Sequence, residues 1–412
     1  MLNWLKDRFS SKPSIESVAR EAIALLRASG VQSAEFDPKM NEVRGERDGQ
    51  KYSIFLGNLF HEYVHAPRAE RPAVLRKFVL GNAIEGAEMP DGYEAAKPRL
   101  LPIVRTAADE AMGLLSAQRL SSGAPGEAAP TRLASRPLAG PLIVGLAFDT
   151  PNAIRRIDAG QLENWQVDFE QVLSDALHNL RGLPEHGGWQ EIAAGVWRGA
   201  WGDSYEPSRI LLPDLIRRLD VADPVALMPV RNALLVCSAR NEAGLSVMAA
   251  LAKAAIESEP RWLSLTPLAL VGDRWQVFTP PTSCARAFAE LALHDLAQTY
   301  AGQKNLLDDL HQRRGTDIFV ASATGVEKDG QLLTYSVWTE GVDTLLPQTD
   351  LVVLSRMQDG QVGQSIFVPW DAAVAALSEL MEPTEHVPVR FRATRFPSAE
   401  QWSALAAAHG AL

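Results

Sequence analysis

The chain has 412 residues and a formal net charge of -10, with 46% apolar and 22% charged residues. That apolar share is ample for real cores and leaves no large part of the chain reading as intrinsically disordered. An acidic balance with no Lys/Arg run excludes a general nucleic-acid binder, which needs a concentrated basic surface.

Residues 1–9 carry charges where a signal peptide needs an apolar core. Leu2, Leu5 and Phe9 share one side of a small amphipathic helix expected to dock on the protein's own body. Ile15, Val18, Ala22, Leu25 and Leu26 recur at helical spacing, which predicts a helix over 14–29 stopped by Gly30. Short strands follow at 33–36 and 52–56, then a brief helix over 57–66 ended by Pro67. Pro72 opens a stronger helix with Val74, Leu75, Phe78 and Val79 inward. Residues 100–104 are extended and 107–120 helical. The stretch 121–137 is dense in Gly, Pro and Ser without apolar period, and is expected to be a flexible linker.

Beyond it, 142–148 is a nearly continuous apolar strand. Asp168 caps a helix whose stripe is Phe169, Val172, Leu173, Ala176, Leu177 and Leu180, with Gln171 at the capping-box position. Strands are expected at 195–198, 225–228 and 233–238, a helix from Asn241 or Glu242 through Ala254, and a hairpin of 268–271 with 275–278. A long helix over 283–312, broken near Gly302, precedes strands at 318–323, 332–338, 351–356 and 365–368. Helices at 372–380 and 399–408 close the chain. The expected fold is α+β (mixed α/β) with two domains, the C-terminal one an antiparallel meander with flanking helices. The domain map is 1–120, a linker over 121–137, then 138–280 and 281–412.

Cys237 and Cys284 are the chain's two cysteines, far apart and outside any CxxC pattern. They form neither a disulfide framework nor a metal knuckle, and imply free thiols in a reducing compartment. The longest uncharged stretches are about a dozen residues, short of the ~18 that a spanning helix needs. The protein is therefore expected to be cytoplasmic, without membrane insertion.

Three segments carry a family resemblance: Val167-Asp-Phe-Glu-Gln-Val-Leu-Ser-Asp-Ala-Leu-His-Asn-Leu180, Trp201-Gly-Asp-Ser-Tyr-Glu-Pro-Ser-Arg-Ile-Leu-Leu-Pro-Asp-Leu215 and Met228-Pro-Val-Arg-Asn-Ala-Leu-Leu-Val-Cys-Ser-Ala-Arg-Asn-Glu-Ala-Gly244. In order and spacing they resemble the YtpQ-like bacterial family of domains of unknown function. The resemblance extends over about residues 14–260. It implies a mixed α/β fold and no activity. Where the family reads Arg-Asp, this chain reads Arg231-Asn232, which speaks against acid chemistry at that position.

The sharpest chemical motif is His61-Glu62-Tyr63-Val64-His65, an H-E-x-x-H match. On a helix its two His could bind zinc, with Glu62 as general base and Glu85 as the third ligand. Pro67 puts the second His on a fraying helix end. Gly202-Asp203-Ser204 with Asp308-x-x-His311 mimics the blocks of GDS-type esterases, although the approach to Ser204 is not a buried parallel strand. Asp203, Ser208, Arg231 and Asn232 lie at element ends and could line a ligand groove. The leading expectation is a non-enzymatic interaction or scaffolding protein, or a ligand sensor, with no cofactor and a protein partner or small ligand. The alternative is a zinc-dependent hydrolase using His61, Glu62, His65 and Glu85.

Overall fold

A computed structural model of the chain describes residues 13–47, 50–83, 89–121, 131–150, 154–184, 187–259, 262–328 and 330–410. In chain order the elements are α1 (Ile15–Ala28), β1 (Ser33–Asp37), β2 (Glu42–Arg47), β3 (Gln50–Phe55), α2 (Leu56–His65), α3 (Arg71–Ala83), α4 (Tyr93–Ala96), β4 (Leu100–Thr106) and α5 (Ala107–Leu120). There follow β5 (Ser135–Ala139), β6 (Leu142–Asp149), β7 (Ile154–Arg156), α6 (Ala159–Trp165), α7 (Phe169–Gly182), β8 (Gly188–Ala193), β9 (Val196–Ala200), α8 (Pro213–Arg217), β10 (Pro224–Val230), β11 (Leu235–Ser238), α9 (Glu242–Ser258), β12 (Trp262–Val271) and β13 (Arg274–Val277). The last third holds α10 (Thr282–Arg314), β14 (Phe319–Val320), β15 (Thr324–Lys328), β16 (Gln331–Thr339), β17 (Thr344–Pro347), β18 (Leu351–Gln358), β19 (Gln361–Pro369), α11 (Trp370–Leu377), β20 (Glu382–Pro383), β21 (Arg390–Ala393) and α12 (Ala399–His409).

The class is α+β, as expected. The chain divides into two compact units, neither continuous in sequence: residues 1–101, 146–181 and 256–262 in one, and 102–145, 182–255 and 263–412 in the other. The boundary expected at 280 falls inside the second unit. Among the described residues no helix is long and apolar enough to cross a membrane. The expected helix of residues 1–9 lies outside the described residues.

In the first unit, Ser14 and Ser17 close a capping box on α1, whose Val18, Ala22 and Leu26 are fully buried. They pack with Val43, Leu59 and Val79 from the antiparallel β1-β2-β3 sheet, α2 and α3. Strand β2 went unread because its sequence, Glu-Val-Arg-Gly-Glu-Arg, offers Val43 as its one apolar residue. Asp168 caps α7 through the Gln171 N–H at 2.8 Å. Asn179 on α7 then donates to the Lys97 and Leu100 carbonyls at 2.7 and 2.9 Å.

The second unit is built on a six-stranded sheet of order β13-β12-β10-β11-β9-β8. Its core includes Ala226, Met228, Val236, Leu263 and Trp275. The hairpin β12–β13 turns at Gly272, whose φ of +59° is a left-handed conformation that a side chain would strain. Residues 122–130 of the expected linker lie outside the described residues, and the strand β5 already begins at Ser135.

Two expectations about the C-terminal region need correction. Helix α10 runs unbroken for 33 residues through Gly302. A Cβ at Gly302 would stand 3.2 Å from the Met112 sulfur of α5, so the glycine permits close packing of two helices instead of marking a break. The strands also do not form a simple meander. In the β15-β16-β18-β19 sheet, β16 pairs with β18 in parallel. The strand between them, β17, leaves to join a second sheet of order β14-β17-β21-β20. Turn signals locate strands but not partners, and the crossover is set by which faces bury Trp338, Leu354, Ile366 and Trp370 together.

Candidate functional site

Of the residues expected to line a ligand groove, Asp203 is held in a structural knot beside Trp201. Arg209 is buried and grips Asp203 with both arms, Nη1 to Oδ1 at 2.9 Å and Nη2 to Oδ2 at 2.5 Å. Its guanidinium lies 4.2 Å from the Trp201 ring centroid. Asp203 also accepts the Tyr205 N–H at 3.0 Å, and Glu206 accepts the Gly202 N–H at 2.7 Å. Burial works to raise the Asp203 pKa, but the Arg209 and Tyr205 bonds outweigh it and hold the carboxyl below the usual range. Ser208 is buried beside this knot, and Asn232 is exposed.

The esterase-like blocks make other bonds. Asp203 is taken by Arg209, Asp308 by Lys304 at 2.8 Å, and the His311 ring nitrogen lies 3.3 Å from the Ile318 carbonyl. Ser204 sits in a turn at φ +66°.

The H-E-x-x-H motif lies on α2, which ends at His65 as Pro67 requires: Ala66 is already extended at ψ 144°. The two imidazoles lie against each other with centroids 4.3 Å apart, and His65 Nδ1 is 2.8 Å from the His61 carbonyl oxygen. A His held through one ring nitrogen by a carbonyl has the other available for a ligand. Glu85, the expected third ligand, lies outside the described residues. Among the described residues no group of three or more His, Cys, Asp and Glu is placed to hold a metal ion.

A different constellation forms around Arg231, where the sequence reading placed one candidate and missed two. Arg231 follows β10 and donates from Nη2 to Asp109 Oδ2 at 2.9 Å. Asp109 stands in the first turn of α5, where Thr106 accepts its backbone N–H. Asp295 of α10 belongs to the same neighbourhood: the negative charge of Asp109 acts on it. Asp295 is half-buried as a residue, but its carboxyl is the enclosed end, and Oδ2 accepts the Leu265 N–H of β12 at 3.3 Å. Burial pushes this carboxyl up to about 6, with Asp109 adding to the rise and the Leu265 bond opposing it.

Asp109 thus has two charged neighbours: Arg231, held by an ion pair, and Asp295, on which its charge acts. Arg231 Nε is enclosed with no hydrogen-bond partner among the described residues. Arg231 and Asp109 each keep partial exposure, at 32% and 23% of the side chain, so solvent reaches the group. An acid whose pKa is displaced into the neutral range by burial, beside a charged partner, is a functional-site signature. A sequence signal for Asp295 did exist. It stands four residues after Leu291 on the buried stripe of α10 that includes Cys284, Phe288 and Leu291, a place where an acid is anomalous. No protein-family profile, curated protein or solved structure matches the chain.

Proposed function

We propose that this protein is a non-enzymatic ligand sensor whose small-molecule site is formed by Arg231, Asp109 and Asp295. The observation that carries the reading is Asp295, a largely enclosed carboxyl that accepts one long backbone hydrogen bond and adds a second negative charge beside Asp109. Such an arrangement burdens the fold, and a burden of this kind is commonly retained for binding. Arg231, Asp109 and Asp295 come from three different elements, so a ligand bridging them would tie together the β10–β11 turn, α5 and α10. That linkage suits sensing, because a ligand that favours one arrangement of elements shifts the population toward it.

The proposal includes membership of the YtpQ-like bacterial group, supported by the three quoted segments. Arg231 belongs to the third of them, and Asp175 in the first accepts the Tyr93 hydroxyl proton at 2.5 Å. A cytoplasmic setting is part of the same reading, supported by two buried free thiols. A thermal-shift screen of the full chain against small polar molecules tests it. A rise in melting temperature with at least one compound, lost in Arg231→Gln, is the expected result. A response that survives in both Arg231→Gln and Asp295→Asn would place the ligand elsewhere. A protein that co-purifies in fixed ratio while no compound responds would move the reading to scaffolding.

A further inference from the structure

A cleft of about 410 Å³ opens where β10 begins and β12 ends, on neighbouring strands of the six-stranded sheet. Pockets that hold small molecules start at about 300 Å³. The floor of this cleft is apolar. Leu219 and Leu270 are buried there as part of the core of the second unit, and Val221 packs against the same core. Pro224, the first residue of β10, adds to the apolar lining.

Two side chains of opposite charge also line the cleft, Arg217 at the end of α8 and Asp220 just beyond it. Arg217 spends a single atom, Nη2, on the Gly272 carbonyl and the Asp273 carboxylate, both at 2.5 Å. Its Nε and Nη1 make no hydrogen bond among the described residues. The Arg217–Asp273 pair is open to solvent, at 49% and 79% of the side chains, so a competing carboxylate displaces it at little cost. Asp220 is exposed and has no hydrogen bond or ion pair among the described residues. Its backbone is nonetheless fixed. The Val221 N–H donates to the Leu219 carbonyl at 2.7 Å across Asp220, and the Ala239 N–H to the Asp223 carbonyl at 2.9 Å. A loop ordered in advance lowers the entropy cost of binding.

We propose that this cleft binds an apolar α-amino acid of the leucine type, with its carboxylate on Arg217, its ammonium on Asp220 and its side chain over Leu219, Val221 and Leu270. The free edge of a guanidinium takes a carboxylate in charge-assisted bonds, and an ammonium offers up to three donors to Asp220. A simple acid would meet Asp220 and Asp273, and a simple amine would meet Arg217. A zwitterion answers both signs at once. An aliphatic side chain covers the apolar floor, which glycine cannot do. The cleft shares no lining residue with the Arg231 site and does not depend on it.

The experiment uses the full chain, calorimetry and thermal shift, and four probes: L-leucine, glycine, 4-methylpentanoate and 3-methylbutylamine. L-leucine is expected to bind at millimolar concentration, and each of the other probes at least about tenfold more weakly. Arg217→Gln and Asp220→Asn should each weaken L-leucine about tenfold. Ala222→Trp, at an exposed position of the lining, should abolish binding by filling the cleft. All three substitutions are at exposed positions, so the unfolding transitions should match the parent's. Arg231→Gln should leave L-leucine binding unchanged. Acid or amine binding as tight as L-leucine overturns the ligand class. L-leucine binding that survives Ala222→Trp, or that is lost in Arg231→Gln alone, overturns the assignment to this cleft. No response to any probe overturns the proposal as a whole and leaves the Arg231 site to its own screen.

Discussion

Replacing Asp295 by Asn tests the central observation without any ligand. Burial lifts the Asp295 carboxyl from 3.8 to about 6. Each pKa unit corresponds to about 1.4 kcal/mol, so ionising this group in the folded chain costs at most about 3 kcal/mol relative to the unfolded one. The sign follows from the direction of the shift. With the folded pKa raised, the group favours folding fully below pH 3.8, where both states are protonated. That advantage is lost as the pH rises through about 6, because the unfolded chain ionises first. Asn has nearly the same shape and can still accept the Leu265 N–H, but it cannot ionise. Asp295→Asn should therefore match the parent near pH 4 and exceed it by about 2–3 kcal/mol at pH 8. Urea unfolding followed by tryptophan fluorescence reads the difference, with both chains compared at each pH so that other titrations cancel. Equal or lower stability of the variant at pH 8, or a difference that does not change with pH, would refute the reasoning.

Asp203→Ala should destabilise the chain by about 3 kcal/mol at neutral pH, because it strands the buried Arg209 charge. The Asp203 pKa is depressed, so the loss, measured by the same unfolding assay, should shrink as the pH falls through that depressed pKa. Arg390→Ala should cost at least about 3 kcal/mol in urea unfolding, since the fully buried guanidinium donates to Gln303 Oε1 and to the Ala321, Leu345 and Tyr300 carbonyls. Both thiols should react with a disulfide reagent only after unfolding; burial pushes Cys237 up to about 11 and raises Cys284 as well. Elemental analysis of the purified chain is expected to show no stoichiometric zinc and His61→Ala to leave unfolding unchanged, whereas one zinc per chain lost on His65→Ala would make Glu62 the next residue to test.

The helices with strong apolar periodicity, α1 and α7, could be read from the sequence because each buries one stripe and carries its own cap. Strand β2 could not, since pairing with β1 and β3 supplies what its composition lacks. The parallel pairing of β16 with β18 was equally hidden, because partner choice depends on residues more than ten positions apart. The same limit applies to the site. Arg231 stood out as a charge at a strand end, but nothing local says that Asp109 of α5 pairs with it, or that Asp109 in turn acts on Asp295 of α10. Asp203 stood out for the same reason, and its role proved to be a bidentate partner for Arg209.

The contrast between these charges carries the functional argument. Arg390 is wholly buried, and its guanidinium spreads four donated bonds over four acceptors. Arg209 and Asp203 satisfy each other in two parallel bonds and stack on Trp201. Charges satisfied in this way hold neighbouring segments in register, and removing either partner harms the fold before it harms anything else. Asp295 and Arg231 differ in kind: each keeps hydrogen-bonding capacity that the described residues do not fill. Stabilising the chain by neutralising Asp295 while removing its response to a ligand would separate the two roles in one variant, since a purely structural carboxyl cannot give both results.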